Sequence, residues 1–200
     1  MSEKTLPSFL EVLSKEVITF ISLIDEVAIN QARDLILESE KSHGRVHVAG
    51  IGKPGHVSGY VSSLLSSTGT PAYTLHGTEA VHGSSGQVVA GDVVIAISNS
   101  GETQELKATV ETLKANGAKI IGVSGNADSW LKNSSDAFLF AGVKKEGDDL
   151  NKAPRASIIA ENIVLQALSV ALQYSKGLDA EQYLKWHPGG SLGQSIREGK

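Results

Sequence analysis

The sequence predicts an α/β protein in three layers, a five-stranded parallel sheet between helices, with a long helix leading into it. Three observations carry this expectation. Five short apolar runs, at 45–53, 71–76, 91–98, 118–125 and 136–143, have the length and side chains of strands. Between most of them lie segments with apolar residues three and four apart, the spacing of helices with one buried face. Strands alternating with helices in this way pair in parallel, with helices on both faces.

The elements follow in order. From residue 7 to about 40, Phe9, Leu10, Leu13, Val17, Phe20, Ile21, Ile24 and Val27 mark an amphipathic helix, with a break expected near Asn30 and a second stretch from Leu35 to Glu40. Its apolar face is too broad for solvent and is expected to pack across the domain or, more in keeping with its length, against a second subunit. We therefore divide the chain into a helical extension, 1–44, and a domain, 45–200. RVHVAGIGK is the first strand and the glycine turn after it, and a helix runs from His56 to Ser67. PAYTLH and GDVVIAIS are the second and third strands. Leu106, Val110 and Leu113 align on a helix from Glu102 to Asn116. AKIIGVSG and DAFLFAGV are the fourth and fifth strands. Ile158 to Tyr174 is a strongly apolar helix expected to be buried on more than one side. The remaining tail is looser and contains HPGGSLG at 187–193.

Composition limits the function. The 200 residues are 40% hydrophobic and 20% charged, with a formal charge of −4, so a nucleic-acid binder working through a basic surface is not expected. There is no Cys, which removes thiolate chemistry and Cys-based metal sites. The N-terminus lacks the pattern of a signal peptide, and no run approaches the roughly 18 apolar residues of a membrane span. A cytoplasmic protein with no membrane partner is expected. The only HxxxH, His43 to His47, crosses from a turn into a strand, so no metal site is expected.

The informative stretch is AISNSGETQE, 96–105, where a wholly apolar strand stops at Ser98-Asn99-Ser100-Gly101. Ligands of such sheets bind beyond the carboxyl ends of the strands. Small hydroxyls at a helix N-terminus, with Thr103 adding another, form an uncharged cradle suited to phosphate. The plainer reading is a helix cap, with Glu102 reaching back to Asn99 in a capping box. GIGKPG, 50–55, matches GxGxxG, but no acidic residue ends the next strand at His76, so a dinucleotide is not expected. This loop delivers Gly52 and Lys53 to the same sheet edge.

Taken together, GIGKPGH (50–56), STGTPAY (67–73), HGTEAVHG (76–83), DVVIAISNSGETQE (92–105), KKE and AP (144–146, 153–154) and HPGGSLG (187–193) resemble the sugar isomerase (SIS) domain. The likeness extends to the arabinose-5-phosphate isomerase branch. It implies a flavodoxin-like or Rossmann-like sheet, an aldose–ketose isomerase acting on a sugar phosphate without a cofactor, and homodimers or homotetramers with sites at subunit boundaries. Carried over by motif, the catalytic set would be Lys53, His82, Glu105, Glu146 and His187, with Ser98, Ser100 and Thr103 on the phosphate. Gly52, Asn99, Arg155 and His76 complete the candidate substrate-binding residues. Pro54 stands where the family commonly has Ser, and Arg155-Ala156-Ser157 replaces a Ser/Thr-rich run. Regulatory CBS modules that commonly follow are not in this chain.

The inventory suits the chemistry. Glu105 and Glu146 are candidate bases, His82 and His187 acid–base groups, and Lys53 can stabilise an enediolate. Burial would raise the affinity of Glu146 for a proton. His187 is the strongest single candidate, held by its Pro-Gly-Gly context. His43, His47 and His56 are expected to be structural, and Glu102 a capping carboxylate. The alternatives are a phosphosugar sensor without catalysis, or a hexulose-phosphate isomerase.

Overall fold

The computed structural model describes residues 5–189. The chain folds as two helices, α1 (Leu6–Ile21) and α2 (Glu26–Lys41), followed by β1 (Val46–Gly50), α3 (Lys53–Ser67) and β2 (Ala72–His76). Then come β3 (Val93–Ile97), α4 (Gln104–Ala115), β4 (Lys119–Ser124), a one-turn α5 (Trp130–Asn133) and β5 (Ala137–Phe140). Two helices, α6 (Ala156–Lys176) and α7 (Ala180–Trp186), complete it, with two 3₁₀ turns between β2 and β3. The five strands are parallel throughout in the order β2-β1-β3-β4-β5. The expected three-layer sheet is therefore present.

Strand alternation sends side chains to two cores. Val93, Ile95 and Ile97 face one core with Phe20, Ile36, Leu65 and Leu168, beneath α1, α2, α3 and α6. Val94 and Ala96 face the other with Leu106, Val110, Leu113 and Leu131, beneath α4 and α5. Because both faces are covered, β1 and β3 are buried at every position.

Several boundaries differ from the sequence reading. The N-terminal helix breaks at 22–25, not near Asn30. Asp25 takes extended geometry and its Oδ1 accepts from the Val27 and Ala28 amides, which starts α2 there. Asn30 stays helical and bonds Arg33 (2.6 Å). Phe20, Ile29, Ala32 and Ile36 are buried in the sheet's own core, so the extension packs across the domain. A second apolar stripe, Leu6, Leu10, Ile18 and Ile21, remains exposed. Helix α3 begins at Lys53 rather than His56, since Pro54 is tolerated where amides have no helical partner. Helix α7 lies in the tail read as loose. Contrary to expectation, α6 alone among the described residues has the length and composition to cross a membrane. Half of that window is buried, as in a core helix.

Candidate active site

β1 and β3 are neighbours, but the chain leaves β1 toward β2 and leaves β3 toward β4. Their two loops diverge and open a crevice at the carboxyl edge. Gly50 pairs in register with Ile97, so Gly52-Lys53 and Ser98–Thr103 sit on adjacent strand ends. Gly50 is glycine because a Cβ there would meet the Pro54 backbone at 2.6 Å.

The Ser98 loop is organised by its hydrogen bonds. Each carbonyl is occupied: Ser98 O accepts from the Gly101 amide (3.0 Å), Asn99 O from the Gly125 amide (2.9 Å) and Ser124 Oγ (3.1 Å). Ser100 O accepts from Asn126 Nδ2 (3.4 Å) and Gly101 O from the Leu131 amide (3.1 Å). The carbonyls of Asn99, Ser100 and Gly101 are thus turned toward the β4–α5 segment, and that of Ser98 toward the loop's own Gly101 amide. Ser98 Oγ accepts from the Gly101 amide (3.1 Å) and lies 3.0 Å from Thr103 Oγ1 and 3.5 Å from Ser100 Oγ. Thr103 is the N-cap residue of α4, but its hydroxyl makes no capping bond. The first-turn amides of α4 are left without a side-chain acceptor. Hydroxyls and amides together leave a donor-rich surface for an anion. Gly101 allows it, with φ of +66° and no room for a Cβ beside Ser129.

This geometry corrects the capping-box alternative. Glu102 does not reach Asn99; its Oε1 accepts from the Trp130 amide (2.7 Å) and Oε2 from Lys107 Nζ (2.6 Å). The Lys107 bond, then the Trp130 amide, hold its carboxyl below the usual range. Ser100 Oγ instead accepts from the Glu102 amide (3.2 Å).

Other candidates gather along the same edge. Lys53 is exposed at the start of α3, without a carboxylate partner among the described residues. A cleft of about 230 Å³ beside it is lined by Gly52, His56, Ser58 and His76. His76 Nδ1 accepts from the Glu79 amide (3.4 Å) and lies 3.0 Å from Thr78 Oγ1. Asn99, Glu105 and His82 are exposed, Glu105 on the first turn of α4 and His82 on the 3₁₀ turn after β2.

Glu146 lies in KKEGDDLNK, a loop that its charge alone would place in solvent, yet it is buried. Its Oε2 accepts from the amides of Arg155 (2.6 Å) and Ser157 (3.1 Å) at the start of α6. Helix α6 runs beside α3 in the same direction, joined by Gln166 to Tyr60 (3.0 Å) and Ser169 to Thr68 (3.3 Å). The N-termini of α3 and α6, with Lys53 and Glu146, are therefore neighbours. Arg155 Nη1 is ion-paired with Asp148 (3.0 Å).

His187 is not brought to this edge. Its ring stacks on Tyr183 (centroids 3.9 Å) and its Nδ1 lies 3.0 Å from Tyr183 O. The preceding Trp186 packs over Gly69, beyond the far end of α3. The 15 residues of α3 put roughly 20 Å between that end and Lys53. Of the HPGGSLG motif, 190–193 lie outside the described residues. His47 proves buried, with Nε2 3.1 Å from Asp92 Oδ2. No cluster of three or more His, Asp or Glu suited to a metal occurs among the described residues.

Sequence reasoning missed Glu161. It is fully buried on α6, with no hydrogen bond to either carboxylate oxygen. Burial first, then the charge of Glu146, push its carboxyl up to about 8. The signal was present as one acidic residue inside IIAENIVLQAL, four places after Ser157.

Comparison with known proteins agrees with this architecture. The SIS domain model matches residues 40–171. The chain belongs to the SIS domain family. This SIS domain is 40% identical over 153 residues to arabinose 5-phosphate isomerase KdsD of Pseudomonas aeruginosa and to that of Escherichia coli K12. The match covers 76% of this chain and 47% of each relative, so the chain spans about half their length. Among solved structures it resembles Escherichia coli CFT073 c3406 in complex with arabinose 5-phosphate, with 34% identity and a TM-score of 0.84. That match covers 92% of this chain and 95% of c3406. MJ1247 of Methanococcus jannaschii, 18% identical with a TM-score of 0.69 over 89% of this chain and 96% of its own, shares the fold.

Proposed function

We propose that this SIS domain is an aldose–ketose isomerase of a sugar phosphate, with arabinose 5-phosphate and ribulose 5-phosphate as its substrate pair. The observation that carries the reading is the Ser98–Thr103 loop, whose carbonyls are turned away from a surface of hydroxyls and helix amides. Such a surface holds a phosphate at a fixed point beyond β3. The choice of pentose rests on the similarity to KdsD and to c3406, whose structure contains arabinose 5-phosphate.

Isomerisation moves a proton between C1 and C2 through an enediol. A carboxylate, Glu146 or Glu105, takes the C2 proton and returns one at C1. Lys53, whose charge no carboxylate among the described residues neutralises, offsets the negative charge on the enediolate oxygen. His82 and His187 move the hydroxyl protons. Since His187 lies at the opposite edge of its own chain, the reading includes a homo-oligomer in which a second copy brings its His187 to this edge. The exposed Leu6, Leu10, Ile18 and Ile21 stripe supplies an apolar surface for that association.

The test uses a panel of C5 and C6 sugar phosphates in deuterated water. Label entering next to the carbonyl of arabinose 5-phosphate or ribulose 5-phosphate is the expected outcome. Binding without label in any sugar identifies a sensor, and label only in a hexulose phosphate moves the substrate assignment. Mixing inactive Lys53→Ala with inactive His187→Ala should restore turnover if each site draws on two chains. No recovery after subunit exchange places both residues in one chain.

A further inference from the structure

Glu161 has no role in the proposed reaction, yet it is placed with care. It lies one helical turn beyond Ser157, on the same buried face of α6. The Ser157 amide is bonded to Glu146 Oε2, so the two carboxyl groups flank the first turns of one helix. Glu161 is 0% exposed, and neither of its oxygens nor the Ser157 hydroxyl has a hydrogen-bond partner. A full negative charge without a donor is among the costliest groups to bury. A second negative charge within one helical turn is costlier still, and a buried carboxyl without a donor avoids it by keeping its proton.

The partners decide where that proton resides. Glu146 Oε2 has two backbone donors at the start of a 21-residue helix. Glu161 has none. We propose that Glu161 is a positioning residue for Glu146: the pair carries a single proton, held on Glu161, which leaves Glu146 as the one buried anion at the start of α6. The inference rests on the reading of Glu146 as a base.

Among the described residues, no ion pair joins Glu146 or Glu161 to a cation. The packed elements carry Glu11, Lys15 and Glu16 on α1, Asp25 and Glu26 where α2 begins, and Lys53, His56 and Tyr60 on α3. The loop into α6 adds Asp148 and Arg155, which pair with each other. The charge that acts on Glu161 is that of Glu146. Its proton is lost near pH 8, where a second negative charge arises beside a site that must hold a phosphate and an enediolate. Turnover should fall there for that reason.

The protein labelled with ¹³C at glutamate side-chain carboxyls reports the pair directly. One carboxyl should titrate near pH 8 in the wild type. That signal should vanish in Glu161→Gln, and in Glu146→Gln its midpoint should fall by about half a unit or more once the neighbouring charge is gone. The pH profile of turnover should lose its alkaline limb in Glu161→Gln. The proposal is overturned if no wild-type carboxyl titrates above about pH 6, if the midpoint is the same in Glu146→Gln, or if the limb survives in Glu161→Gln. If Glu146→Gln turns over like the wild type, the base assignment falls by itself, and the titration still decides whether the pair exists.

Discussion

The two edges of the sheet treat polar groups in opposite ways. At the amino edge most are consumed by the fold, with His47 Nδ1 a buried exception that has no partner among the described residues. Asp92 accepts from the Arg45 amide (2.9 Å), the Val89 amide (3.0 Å) and His47 Nε2. Asp136 accepts from the Ile120 amide (2.8 Å) and Lys119 Nζ (2.9 Å), while Lys176 Nζ reaches Glu40 (2.6 Å), Thr70 (2.6 Å) and Gly69 O (2.9 Å). At the carboxyl edge Lys53 has no carboxylate among the described residues, the first-turn amides of α4 have no side-chain cap, and Glu161 is buried with its oxygens unbonded. The contrast separates polar groups that serve stability from those kept for something outside the chain. A buried charge counts as structural when the protein itself completes its hydrogen bonds.

The widest effect should come from the amino edge. Asp92→Ala removes the acceptor of three N–H donors, the buried His47 ring among them, and should lower unfolding free energy by about 3–5 kcal/mol in a denaturant titration. Turnover per folded molecule should be unchanged. A large loss of turnover with full stability would erase the distinction between the edges. Glu161→Gln should give the next largest effect, with the opposite sign. The Glu161 carboxyl binds its proton more tightly folded than unfolded, so stability from this group is complete below its ordinary value of 4.5 and is lost as pH rises toward about 8. At pH 7 the loss is on the order of 3 kcal/mol. The Gln variant should lack that slope between pH 5 and 8; an identical slope in both proteins would show that Glu161 is not buried as described. The smallest effect is expected for Ser100→Ala. Losing one phosphate hydrogen bond should raise KM for the sugar phosphate by the equivalent of about 0.5–3 kcal/mol. An unchanged KM would make Ser100 only the acceptor of the Glu102 amide.

How much could be read beforehand follows from the range of the interactions involved. The strands, the order of helices and the Ser98 loop were legible because period, strand length and turn residues are local. The break at 22–25 was missed because Ile24 and Val27 continue the apolar spacing straight through it, hiding the Asp25 cap. The burial of Glu146 could not be seen in KKEGDDLNK, since it depends on amides nine and eleven residues away. The place of His187 was beyond sequence for a similar reason: it is set by Trp186 meeting Gly69, a contact between distant segments. Glu161 was legible and overlooked, the one acid on a buried face otherwise made of Ala, Val, Leu and Ser.

The way the Ser98 loop is tied down has an evolutionary consequence. Its shape is fixed from behind, by residues 124–131, and none of those bonds involves the crevice itself. On the proposed reading, the phosphate anchor can therefore stay constant while residues of other segments, such as Pro54 on α3, His82 on the 3₁₀ turn or Arg155 before α6, change. On that reading the scaffold separates holding a substrate from choosing it, and new sugars become accessible through a few changes in segments other than the grip.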